Sequence, residues 1–181
     1  MGIKRILSIL FSGGRSEKSN TSQNNKHKRL AAPGTRVYFD EDLIDQLKDE
    51  HQILLGLYSK ISQAYKNKKY KRVSKLLGDF KHEVYSHFLL ENIKLYIYLR
   101  NTLHHDHHSS KIMRFFQKEI NQIGKVVDQF IDHYADVQWT NDEIARFEGD
   151  LRNIGNALVT RINREEKFLY PLYLPPDDYA Q

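Results

Sequence analysis

The chain has 181 residues, 40% of them hydrophobic, with 11 Tyr and 9 Phe, enough for one domain with a packed core and too apolar for disorder throughout. It has no cysteine, which excludes disulfides, thiolate metal sites and a cysteine nucleophile and fits a reducing, cytoplasmic setting. The net charge of +5 belongs to a tail: residues 1–36 carry eight basic side chains against Glu17 alone, leaving −2 for residues 37–181, so no basic nucleic-acid groove is expected on the folded body.

Residues 1–11, MGIKRILSILF, set Ile3, Ile6, Leu7, Leu10 and Phe11 at helical spacing with Lys4 and Arg5 off the stripe. The run is too short to span a bilayer, and no small-residue cleavage site follows, so a secretory signal is not expected. A short basic amphipathic helix of this kind suits peripheral contact with an anionic membrane or a partner groove, set against the plainer reading of a frayed terminus. Residues 12–36 are rich in Gly, Ser, Asn and Lys and read as a flexible linker. The expected organisation is a tail and linker over 1–36, one domain over 37–176 and a C-terminal tail over 177–181.

From about residue 40 the hydrophobic period is helical. Segment A, about 41–66, carries Leu43, Leu47, His51, Leu54, Tyr58, Ile61 and Tyr65 on one stripe, opened by acidic residues. Segment B, about 70–102, carries Val73, Leu77, Phe80, Val84, His87, Glu91, Leu95 and Tyr98. The polar loop HHDHHSS follows, with His104, His105, His107 and His108 spaced as imidazoles that bind zinc or nickel are, or simply exposed. Segment C, about 110–137, carries Ile112, Phe116, Glu119, Ile120, Ile123, Val127, Phe130 and Tyr134. Segment D, about 141–171, opens on Thr140–Asn141–Asp142–Glu143, a capping-box pattern, and is ended by Pro171, Pro175 and Pro176. No segment alternates with period two. Four helices joined by short loops predict an all-α, antiparallel up-down-up-down four-helix bundle.

Polar residues interrupt three of these stripes. His87 and Glu91 sit one heptad after Phe80 and Val84, Arg161 and Glu165 one heptad after Ile154 and Leu158, and His51 between Leu47 and Leu54. Side chains four apart share a helix face, so antiparallel neighbours can bring all five to one level. Buried there, they must satisfy one another. A His–Glu pair can hold a metal ion inside a bundle; an Arg–Glu pair cannot, because guanidinium only donates. The plain alternative is a half-wet boundary network. Tyr85, Tyr96, Tyr98, Tyr170 and Tyr173 read as packing.

The motifs DEHQILLGLYSKI, SHFLLENIKLYIYL and INREEKFLYPLY resemble those of the hemerythrin-like (HHE cation-binding) domain family over about residues 40–174. That resemblance implies two non-haem irons held by histidines on helices A and C and His-x3-Glu pairs on helices B and D. Position by position, His51, His87, Glu91 and Glu165 match metal ligands. Arg161 falls where the helix D histidine belongs, and helix C offers only Glu119 on its stripe, with His133 far down the helix. A more distant resemblance, to the regulator-of-sigma-D family of metal-free bundles that bind a bacterial sigma factor, runs along FEGDLRNIGNALVTRINREEKF and includes an arginine at position 161.

The expected function is therefore a non-enzymatic bacterial regulatory bundle, cytoplasmic and without a cofactor, that binds a protein partner such as an RNA polymerase sigma factor. In it, Arg161 replaces the metal by bridging Glu91 and Glu165 within a network of His51, His87, Glu91, Glu119, Arg161 and Glu165. The alternative is a non-haem iron protein that binds or senses O2 or NO. No nucleophile–base pair, phosphate loop or dinucleotide fingerprint supports catalysis.

Overall fold

The structure is a computed structural model that describes residues 31–179; the amphipathic pattern of residues 1–11 lies outside them. Helix α1, Leu43–Lys66, buries Leu43, Leu47, His51, Leu54, Ile61 and Ala64 on one face. It ends where Lys68 takes a positive φ of 55°, a left-handed turn that lets Lys69 N–H reach the Ala64 carbonyl at 2.9 Å. The second bundle helix runs antiparallel as α2, Tyr70–Leu90, a π-helical turn over Glu91–Tyr96, and α3, Ile97–Thr102. Helix α4 spans His107–Ala135 and α5 spans Asn141–Arg164, followed by a second π-helical turn, Glu165–Leu169, and a 3-10 turn, Tyr170–Leu172. Among the described residues the fold is otherwise a 3-10 turn over Pro176–Tyr179, further turns and one isolated bridge, Ala31 to Tyr38, and no helix is long and apolar enough to cross a membrane.

Three local readings shift. Segments B and D were expected as unbroken α-helices, and each contains a π turn. Helix α4 begins three residues earlier than its apolar stripe, because the Asp106 side chain accepts from His108 N at 2.9 Å and Ser109 N at 3.1 Å. That N-cap draws His107 and His108 into the first turn. The capping box of α5 is half made. Thr140 accepts from Glu143 N at 3.4 Å, but the Glu143 carboxylate goes to His133 Nε2 at 2.9 Å instead of returning to Thr140.

The core divides into two apolar clusters along the bundle axis. One, with Leu54, Phe80, Val84, Val127 and Phe147, fills the half toward the α1–α2 turn. The other, with Leu47, Leu95, Phe116, Ile120 and Leu169, fills the half toward the chain ends. Ala32, placed in the linker by the sequence, is 1% exposed in the second cluster. The C-terminal residues fold back onto it: Tyr98 donates to the Leu174 carbonyl at 2.6 Å, and Tyr179 accepts from Leu174 N at 2.9 Å. Between the clusters each helix changes from one to the other, and there the polar residues of the stripes meet.

Candidate metal centre

His51 of α1, His87 of α2, Glu91 at the head of the first π turn, Arg161 of α5 and Glu165 at the head of the second are all buried, none more than 4% exposed. The half-wet boundary reading therefore fails. One donor atom from each of His51, His87 and Glu165 lies within 4.8 Å of the other two. Each imidazole is held by a carboxylate from another helix: His87 Nδ1 is 2.9 Å from Glu50 on α1, and His51 Nδ1 is 2.9 Å from Glu166. Such contacts fix the ring and its tautomer and leave Nε2 as the free lone pair. His51 Nε2 then faces Glu165 Oε2 at 3.3 Å. Two lone-pair atoms so close need a proton or a cation between them.

Arg161 contacts both Glu91 and Glu165, but unevenly. Its Nε donates to Glu165, but its Nη2 stands 3.8 Å from Glu91 and donates instead to the Tyr96 hydroxyl at 2.9 Å. Nη1 donates to the Phe116 carbonyl at 2.9 Å and to Glu119 at 3.2 Å. Glu119 in turn accepts from Arg164 at 2.6 Å, and the Arg161 guanidinium lies 5.0 Å from the Phe116 ring centroid. The cation thus reaches its own helix, the second helix and α4, and fills the side of the layer where α4 brings no imidazole.

The two π turns explain a feature the sequence did not reveal. In an α-helix a residue five positions on has rotated well past the starting face; a turn with one extra residue brings it back. Tyr96 follows Glu91 by five and Tyr170 follows Glu165 by five, and both hydroxyls point into the polar layer. Tyr170 lies 3.2 Å from His51 Nε2 and 3.4 Å from Glu91 Oε1. These two tyrosines are part of the site, whereas Tyr85 bonds Asp128 at the surface and Tyr98 and Tyr173 tie down the chain ends.

Glu91 Oε2 is buried with no hydrogen donor directed at it. Burial first, and then repulsion from Glu165, raise the Glu91 pKa well above the usual carboxylate range. Burial, and then His51, lower the His87 pKa to about 4, so its imidazole is neutral and able to ligate. Burial pulls the Arg161 pKa down, but Glu165, Tyr96 and Glu91 together more than offset this and leave it above its ordinary value.

A cavity of about 470 Å³ opens between α4 and α5 and ends at His51, His87 and Glu165. The loop histidines form no comparable cluster among the described residues. His104 is turned to the Asn101 carbonyl at 2.8 Å, with its ring 3.7 Å from that of His105.

The two imidazoles and the Glu165 carboxylate lie close enough to share one divalent cation, with the Glu91 carboxylate next to Glu165. A second does not fit, because the Arg161 guanidinium lies against the carboxylates that would have to bridge to it. The family model for the hemerythrin HHE cation binding domain matches residues 42–173, well over half of the chain. No curated protein and no solved structure matches it; the resemblance to the regulator-of-sigma-D family has no counterpart in these comparisons.

Proposed function

The chain belongs to the hemerythrin HHE cation-binding domain family, and from that premise we propose that it binds a single divalent cation, iron(II) foremost, at His51, His87, Glu91 and Glu165. The reading is carried by one observation, the His51 Nε2–Glu165 Oε2 contact at 3.3 Å beside a Glu91 Oε2 that lacks a hydrogen-bond partner. Arg161 supplies the second positive charge. A ferrous ion with two imidazoles and carboxylates would supply open positions for a small diatomic ligand such as O2 or NO. Glu50 and Glu166 orient the imidazoles, Tyr170 offers a hydroxyl beside them, and the apolar walls around the site limit water. Metal analysis of the purified chain tests this: the expected content is close to one ion per chain, lost in His51→Ala. Background metal after anaerobic purification would overturn it.

A second reading is a metal-free regulatory bundle that binds a protein, a sigma factor being the partner class implied by the helix D resemblance. It is favoured by the pairing of Arg161 with Glu165 and the raised pKa of Glu91, which together reduce the negative charge of the buried layer without a metal ion. Background metal together with a specific, saturable complex with a sigma factor would select this reading. Neither reading assigns catalysis to the site.

A further inference from the structure

The cavity between α4 and α5 is larger than close packing tolerates. Protein interiors leave few voids larger than a water molecule, and about 470 Å³ falls in the range of small-molecule sites. Its walls are apolar side chains such as Phe80, Val84, Ile123, Val127, Ala157 and Leu158. At its mouth the polar side chains Gln122, Asn156 and Thr160 are uncharged, and Arg164, the cation there among the described residues, is already bonded to Glu119 at 2.6 Å. At its inner end every nitrogen of Arg161 has a partner. A carboxylate head would therefore meet no unpaired arginine among the described residues that line the cavity, and would share it with the Glu119 and Glu165 carboxylates. An ammonium head would find the two carboxylates that line the cavity, Glu119 and Glu165, already paired with arginines. The polar groups at the mouth can hydrogen-bond a hydroxyl without either penalty.

We infer that this cavity binds an uncharged single-chain amphiphile, of the class of a medium-chain alcohol, with its alkyl chain against Val84, Ile123 and Ala157 and its hydroxyl among the polar groups of the mouth. The inference does not rest on a bound cation. It also gives a reason for Val126, 53% exposed, to stand at the opening, where an alkyl chain would cover it.

The test uses the full chain and the neutral fluorophore N-phenyl-1-naphthylamine, displaced in turn by decanol, decanoate and decyltrimethylammonium. Saturable fluorescence at one probe per chain is expected, with decanol displacing it at concentrations at least about tenfold lower than either charged analogue. Ala157→Phe and Ile123→Trp each fill the cavity. Whichever retains the wild-type helical signal should lose probe binding by about tenfold or more. Absent or non-saturable fluorescence, equal displacement by all three amphiphiles, or undiminished binding in a folded cavity-filling variant would each overturn the inference. If neither variant folds, the order of the three displacers decides.

Discussion

Replacing Arg161 with methionine keeps much of the side-chain length and removes the charge from a layer that is nearly dry. Four donor contacts disappear: those to Glu165, to the Phe116 carbonyl at 2.9 Å, to Glu119 at 3.2 Å and to Tyr96 at 2.9 Å. Removing one partner of a buried ion pair costs about 3–5 kcal/mol, because the other charge is left without compensation. Here Glu165 keeps His51 at 3.3 Å, so the lower end, about 3 kcal/mol, is expected. In urea, with chelator present at pH 7, that loss moves the unfolding midpoint down by about 1–2 M for a slope typical of small domains. Arg161→Lys keeps the charge but not the fork and should fall between the two. Added divalent cation should restore more stability to Arg161→Met than it adds to the wild type, since the cation then supplies the only buried positive charge. A midpoint shift below about 0.3 M, equivalent to well under 1 kcal/mol, would mean that the guanidinium is not what holds the carboxylates in place.

Glu91→Gln should cost less than about 1 kcal/mol in chelator-treated protein, because the raised pKa of Glu91 favours the protonated carboxyl that the amide resembles. The same change should weaken cation binding by about tenfold or more by calorimetry; a large loss of stability without cation would contradict the protonated Glu91. A methyl group at Gly155 would lie 2.4 Å from the Tyr58 ring, so Gly155→Ala should lower stability by about 1–3 kcal/mol, and adding Tyr58→Leu should recover most of it. Equal costs with and without Tyr58 would rule out the close approach as the cause. Lys68 holds a φ of 55°, so Lys68→Gly should raise the thermal midpoint, by roughly 0.5–1 kcal/mol in stability; a fall would show that the lysine side chain matters more than the turn.

The residues legible from sequence were those one heptad from an apolar neighbour. His51, His87, Glu91, Arg161 and Glu165 could be assigned to the core because a helix repeats its face every seven residues, and all five are buried. The residues that hold them in place were not legible for two physical reasons. Glu50 and Glu166 flank a stripe instead of lying on it, and each reaches an imidazole on another helix, a contact fixed by interhelical packing. Tyr96 and Tyr170 enter the site only through the π turns, which no apolar spacing announces. The cavity was equally hidden, since it follows from how far α4 and α5 stand apart and not from the composition of either. The Tyr96 hydroxyl and the Phe116 carbonyl, which take up two nitrogens of Arg161, were likewise not legible from spacing.

Those contacts make the fate of a second ion depend on α4 as much as on position 161. Restoring an imidazole alone, as in Arg161→His, returns one ligand to α5, but α4 still presents the Phe116 carbonyl, Ile120 and Glu119 at that level. Glu119 would also remain paired with Arg164 at 2.6 Å. One histidine and carboxylates already committed to the first ion are a poor set for another, and the change also removes the charge that balanced Glu165. Arg161→His is therefore expected to stay near one cation per chain and to be less stable than the wild type when stripped of metal. Two ions per chain in this single variant, by elemental analysis after anaerobic loading, would show that the guanidinium was the sole barrier and that α4 had kept a usable half of the site. One ion would mean that the substitution at 161 and the loss of the α4 imidazole act together, with a single arginine spanning the places of both.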